Sequence, residues 1–264
     1  ETYVAWCWKA NGSGSINTAG SIDTIKTSAN TTSGFSIINY GGTGSVLTFG
    51  HGLGAVPKML IFKSQSQNDW YVHHTATGVN GRLILNMTNA SADNTAFLNQ
   101  VLPTSTLITL GTTGQVNDAS ENYICYAFTP VQGFSSIGSY AGNANANGTF
   151  VYTGFRPAFI LVKGYNESAQ EWAIFDNKRD PINPVALRIQ PSDDAAESSG
   201  QDIDFLSNGF KIRVTGAFMN GSYNYIYAAF AEAPLVNSEG DTYVYMAFAE
   251  APFVNSNGVP GNAR

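Results

Sequence analysis

Three histidines, a run of carboxylates, a glycine-rich loop and four tryptophans are the side chains of this sequence that could do chemistry. His73 and His74, with His51, carry imidazoles able to bind a transition metal. Neighbouring residues of an extended strand point to opposite faces, however, and neither cysteine nor carboxylate adjoins the pair to complete a ligand set. No metal is expected. Asp176, Asp180, Asp193, Asp194, Glu197, Asp202 and Asp204 could supply acid–base chemistry. A glycosidase needs two such groups opposed across a cleft, ~5–10 Å apart. The bland alternative is solvated loop charges, with Asp176 and Arg179 in a self-paired surface turn. Gly50, Gly52 and Gly54 could cradle a phosphate only by opening a helix, and Pro57 with an apolar run follows instead. Trp70 and Trp172 could stack on sugars, but tryptophans recurring at matching places read as core first. No Ser, His and Asp grouping carries a nucleophile-elbow pattern.

The elements that must position these groups are short. Apolar or alternating runs such as Lys58 to Lys63, Ala158 to Lys163, Phe210 to Val214 and Tyr225 to Phe230 are separated by Gly, Asn, Ser, Thr and Pro. This is strand and turn chemistry, and no stretch shows sustained helical period with caps, although Asp193 to Ser198 could form one helical turn. The fold class is therefore all-β. Only 12% of the 264 residues are charged while 43% are hydrophobic, so a core can form under a surface of neutral hydroxyls and amides. A net charge of −6 argues against a phosphate-binding surface for nucleic acid. No apolar run is long enough to insert in a membrane as a helix. Two cysteines, Cys7 and Cys125, exclude a disulfide framework and read as small buried hydrophobes. No cofactor is expected.

The chain also repeats itself. Pro57, Lys63 and Trp70 match Pro157, Lys163 and Trp172, with six residues from Pro to Lys in both copies. Phe97-Leu98 matches Phe205-Leu206, and the closing run Tyr123 to Phe128 matches Tyr225 to Phe230, each followed by Pro (Pro130, Pro234). The reading is two homologous antiparallel β-sandwich-like units in tandem, 35–133 and 134–234. His73 and His74 fall opposite Phe175 and Asp176, which a shared metal site would not tolerate. The first unit has mostly Asn, Ser and Thr where the second has carboxylates. Residues 1–34 read as a closing strand of an upstream unit (1–9) followed by a polar linker with room for one short strand. Tyr243 to Pro252 nearly copies Tyr225 to Pro234, making 235–264 a duplicated closing strand and tail. The chain reads as the C-terminal piece of something longer.

Six stretches together, Tyr3 to Ala10, Gly34 to Ile37, Gly50 to Gly54, Tyr152 to Pro157, Asp204 to Lys211 and Ala247 to Phe253, resemble an uncharacterised C-terminal domain family of marine tailed-phage virion proteins. The family is similar to segments that close long virion proteins, often after lectin-like sandwich domains. The extra copy at 235–252 departs from its pattern. The resemblance implies a virion structural or tail-fibre role and carries no catalytic residues; with neutral Asn, Ser, Thr and Gly loops suited to weak binding, the reading is a tail fibre or fibre tip contributing to attachment to host-surface glycan. The alternatives are a purely structural head-decorating or connector protein, and a polysaccharide-degrading tailspike. Implied partners are other virion proteins, further copies of the chain (a trimer by analogy with fibres) and host glycan, on an extracellular particle assembled in the host cytoplasm. Trp70, His73, His74, Trp172, Asp176 and Arg179 are the candidate binding residues.

Overall fold

The computed structural model describes residues 4–66 and 69–232. The first half contributes β1 (Lys26–Asn30), β2 (Phe35–Gly41), β3 (Leu47–Gly50), β4 (Met59–Ser64), β5 (Trp70–His74), β6 (Gly81–Ile84), β7 (Ala92–Asp93), β8 (Leu107–Leu110) and β9 (Asn122–Phe128). The second contributes β10 (Ser135–Ala141), β11 (Phe150–Tyr152), β12 (Phe159–Gly164), β13 (Trp172–Asp176), β14 (Ile203–Leu206), β15 (Gly209–Ile212) and β16 (Asn224–Phe230). Among the described residues the helical content is one α-turn, Gly114–Asn117, and one 3-10 turn, Thr75–Thr77. The fold is all-β and sandwich-like, with every strand pair antiparallel.

Within the larger sheet, β2-β9-β4-β5 has the same order as the four-stranded sheet β10-β16-β12-β13. The registers coincide as well: Lys63 lies opposite Trp70 as Lys163 lies opposite Trp172, and Met59 opposite Phe128 as Phe159 opposite Phe230. The first half extends its sheet to seven strands with β1 on one side and β6-β7 on the other. β1 is the short strand expected within the linker.

Both faces of these two sheets are covered, which explains why their strands read as nearly continuous apolar runs. One face of the seven-stranded sheet (Ile38, Tyr40, Leu60, Phe62) packs on the small sheet β3-β8 through Leu47, Phe49, Ile108 and Leu110. In the second half Tyr140, Ile160, Phe175 and Tyr225 pack on β11-β15-β14 through Val151, Phe205, Phe210 and Ile212. The remaining faces meet each other, burying Phe35, Met59, Val72 and Phe128 against Phe159, Leu161, Trp172, Ala228 and Phe230. Four layers result. Trp172 is 1% exposed, and its indole N–H donates to the Ile84 carbonyl of the first half at 2.8 Å, so the polar edge of a buried aromatic is satisfied across the junction.

Two asparagines hold the outer layers in place. The Asn117 side chain accepts from Thr43 N and donates to the carbonyls of Ser45 and Gly111. The Asn220 side chain accepts from Asn143 N and donates to the carbonyls of Asn145 and Val214. Both are fully buried, and each ties a strand-connecting loop to the turn before the closing strand.

Three expectations are corrected. Residues 4–10 form no strand; Trp6 and Trp8 instead lie half-buried over the rim of the junction, with Trp8 edge-on to Phe159 and Phe230. Aromatic burial, not ladder pairing, holds the segment. Cys7 is exposed because its neighbours Trp6 and Trp8 take the inward positions, while Cys125 is buried as expected; both are free. Asp193 to Ser198 forms no helix: a bend at Asp193 leads into irregular chain, and Ser198 makes an isolated bridge to Arg188. The duplicated strand at 235–252 lies outside the described residues.

Truncating Trp172 to Ala should cost about 3–5 kcal/mol in denaturant titration, as deletion of a buried aromatic does. Trp70→Ala, at a half-buried position, should cost markedly less. Asn117→Ala and Asn220→Ala should each cost about 1–3 kcal/mol, because each strands several buried backbone groups.

Candidate functional site

The residues singled out from sequence are mostly enclosed. His73 and His74 are fully buried, and their adjacent positions on β5 send them to opposite faces. His74 Nδ1 accepts from Ala76 N at 3.1 Å. Burial pushes both imidazoles down to about 4. His51 is buried as well and stabilises the Gly50–Gly54 turn, accepting from Leu53 N at 3.3 Å. Among the described residues no group of His, Cys, Asp and Glu is placed to hold a metal ion.

Asp176 and Arg179 form the self-paired turn, but not at the surface. Arg179 Nε lies 2.6 Å from Asp176 Oδ2, and Nη1 lies 2.5 Å from Glu197 Oε2. Trp6 donates its indole N–H to Asp176 Oδ2 at 3.1 Å and lies under the guanidinium at 5.7 Å. Burial alone would raise the Asp176 carboxyl, but hydrogen bonds from Arg179 outweigh it and hold the group below its ordinary value. Asp176 and most of Arg179 are covered because Trp6 of the N-terminal segment lies over them, which no local pattern announces, while Lys178 between them stays exposed. Asp204 is likewise mostly buried and paired with Arg213 at 2.5 Å, while Asp180 Oδ2 accepts from Ala186 N. Trp172 is core; Trp70 is half-buried and stacks on Tyr126 with ring centres 6.3 Å apart.

The site open to a ligand lies elsewhere, on the outer face of β11-β15-β14. Val151, Phe210 and Phe205 point inward from these strands, so their neighbours point out. Phe150 lies opposite Lys211, and Lys211 opposite Asp204, forming one row across the sheet. Tyr152, Gly209 and Leu206 form the next row. Phe150 is 43% exposed and Tyr152 68%. Gly209 has no side chain to cover the tyrosine, and none can be added, because a Cβ there would come within 2.1 Å of the Val151 carbonyl oxygen. Lys211 donates to the Gly148 carbonyl at 3.0 Å, fixing the end of an exposed loop that presents Asn143, Asn145 and Asn147. Two aromatic rings thus sit beside the Lys211 ammonium and next to a loop of exposed asparagines.

The equivalent surface of the first half is closed. By register, with Phe49 opposite Ile108 as Val151 is opposite Phe210, Thr48 and Gly50 stand where the second half has Phe150 and Tyr152. Ser21 N donates to the Thr48 carbonyl at 2.9 Å and Thr48 N donates back to Ser21 Oγ at 2.8 Å. Asn17 lies so close over Gly50 that a Cβ would meet its side chain at 2.4 Å. Among the described residues nothing pairs along the free edge of β11. Sequence reasoning missed Phe150 and Tyr152; the available signal was the replacement of Thr and Gly by two aromatics between otherwise matching copies.

A four-layer antiparallel β protein with one open aromatic face is the class this geometry defines. The chain belongs to the family described as Domain of unknown function (DUF7483), whose model matches residues 1–234 and so spans both halves. No curated protein and no solved structure matches the chain.

Acid should destabilise this protein through its buried histidines. Above pH 6.5 they are neutral in folded and unfolded chains alike. Between pH 6.5 and about 4 the unfolded chain binds protons that the folded one refuses, so stability falls by up to about 1.4 kcal/mol per pH unit for each group. Denaturant titrations at pH 7.5, 5.5 and 4.5 check this, and His73→Phe, the residue type at the matching Phe175, should remove part of the slope.

Proposed function

We propose that the protein is a structural component of a tailed-phage virion, in a tail fibre or fibre tip, and that it touches host-surface glycan through the Phe150–Tyr152 face. The observation that carries this reading is an uncovered pair of aromatic rings flanked by hydrogen-bonding side chains, on a chain with few charges elsewhere. Aromatic faces pack on the apolar faces of sugar rings while amides and cations bond their hydroxyls. The sequence resemblance to virion proteins supports the same assignment. A single shallow contact of this kind is weak, and several copies in a cyclic assembly, a trimer by analogy with fibres, would make it useful. The setting is an extracellular particle put together in the host cytoplasm.

No enzymatic step is assigned. The most buried carboxylates, Asp176 and Asp204, are neutralised by Arg179 and Arg213, which leaves neither free to donate or accept a proton. A second reading, a connector that binds other virion proteins, is favoured by the free edge of β11, whose first-half counterpart already accepts residues 20–22 along its backbone.

Binding of the full chain to host-surface polysaccharide should fall at least tenfold in Tyr152→Ala and in Phe150→Ala, with melting temperature nearly unchanged because both rings are exposed. Trp70→Ala should leave binding intact. Absence of polysaccharide binding, with tight docking to virions lacking the protein, would replace the adhesive reading with the connector one.

A further inference from the structure

One edge of the four-stranded sheet is open. β10 pairs with β16 along all seven of its residues, and among the described residues nothing pairs along its other side. The counterpart edge in the first half is filled: β2 carries β1, with Ile37 opposite Ser28 and Asn39 opposite Lys26. Tyr40 lies opposite Tyr123 as Tyr140 lies opposite Tyr225, so Ile137 and Ser139 stand where Ile37 and Asn39 do. The second half has no room for such a strand of its own. β1 comes from the segment before β2, whereas only Thr129 to Phe134 join β9 to β10, and they form a tight turn. We propose that a second copy of the chain fills this edge, β10 pairing with β10 about a two-fold axis so that two sheets become one.

The backbone of β10 is set out for this pairing. Successive residues of a strand turn their amide and carbonyl groups to opposite sides. Gly142 N donates to the Tyr223 carbonyl and Ala231 N to the Phe134 carbonyl, so even-numbered residues bond β16 and odd-numbered ones face outward. Ser135 N is taken by the Val131 carbonyl, and the Ala141 carbonyl by Thr149 Oγ1. Both backbone groups of Ile137 and Ser139, the Ser135 carbonyl and the Ala141 amide have no partner among the described residues. With Gly138 on the axis, Ile137 of each copy exchanges both bonds with the other copy's Ser139, and Ala141 N donates to the other copy's Ser135 carbonyl. All of these groups are then used, and the bonds to Val131 and Thr149 stay intact.

The sequence of the strand favours a copy of itself as the occupant. Ser-Ser-Ile-Gly-Ser-Tyr-Ala carries no charge and no proline, and so none of the side chains that usually guard an edge. Antiparallel self-pairing therefore brings no like charges together. It also sets glycine against glycine at the centre, in the kind of pair where strands approach most closely. A foreign strand would need a sequence matched to this register, whereas a copy matches it by symmetry. β10 is also the longest edge strand among the described residues, so no other edge of the chain offers as much backbone. The contact is two-fold and joins chains in pairs, whatever cyclic array their other surfaces form.

The test is sedimentation equilibrium on the full chain, together with hydrogen exchange read amide by amide in NMR spectra. Dimer should form as concentration rises, and the amides of Ile137, Ser139 and Ala141 should gain protection with it, while those of Gly138 and Tyr140 are protected throughout. Ser139→Lys sets two ammonium groups diagonally across the axis and should weaken dimerisation at least tenfold. Ser139→Pro deletes an outward N–H that the chain itself does not use and should do the same. Both variants should leave the melting temperature of the dilute chain nearly unchanged, since Ser139 is exposed. A chain monomeric up to about 1 mM, a dimer whose odd-numbered amides exchange freely, or an assembly equally strong in both variants would overturn the proposal. A monomer whose three outward amides gain protection only when another virion protein is added would put that protein in place of the second copy.

Discussion

Everything in this molecule depends on two antiparallel sheets pressing their apolar faces together around Trp172, Phe128, Phe159 and Phe230. Each buried aromatic contributes about 1.5–3 kcal/mol by area. The junction also fixes what lies beyond it. With one face of each large sheet committed inward, the opposite face must be covered separately, which is why each half carries its own small outer sheet. Lys163 shows how strict the junction is. It is fully buried, donates to the Thr88 carbonyl of the first half and to Gln170, and burial lowers it to about 8 despite the nearby Glu171.

The two halves share one arrangement of central strands and then diverge around it. Their central strands, registers, tyrosine pairs and asparagine ties coincide. Tyr40 stacks on Tyr123 as Tyr140 stacks on Tyr225. The halves differ at the edges of the large sheets, where β1, β6 and β7 have no counterpart in the second four-stranded sheet, and in the outer layer. In the first half the N-terminal segment lies across β3, which favours a threonine and a glycine beneath it. In the second half no described segment occupies that place, and phenylalanine and tyrosine stand open to solvent. One half is thus sealed by its own N-terminal segment, while the other leaves the corresponding face open.

The enclosed polar groups are structural for the same reason. An imidazole, a carboxylate or an ammonium taken out of water must be neutral, paired or bonded. His73 and His74 take the first route, Asp176 the second, Lys163 the third. Such groups attract attention in a sequence because their types can do chemistry. Their surroundings decide whether anything can reach them, and here little can.

The sequence alone determined the all-β class, the short strand in the linker and the matched positions of Pro57, Lys63 and Trp70 with Pro157, Lys163 and Trp172. These follow from local causes: β-branched and aromatic runs, turn residues, and a spacing that recurs. It also placed Trp172 in the core and His73 and His74 on opposite faces, since alternation along a strand is a local property. Only the tertiary structure decided that the large sheets pack back to back, that Trp6 and Trp8 lie over the rim of the junction without forming a strand, and that Asp176 and Arg179 are covered. Burial of this kind comes from segments distant in sequence arriving at one place, and no periodicity encodes which face a neighbour will occupy. Phe150 and Tyr152 make the point most sharply. Read locally they are ordinary strand residues around an inward Val151, and they become a candidate recognition surface only because Asn17, Gly20 and Ser21 cover the other half instead.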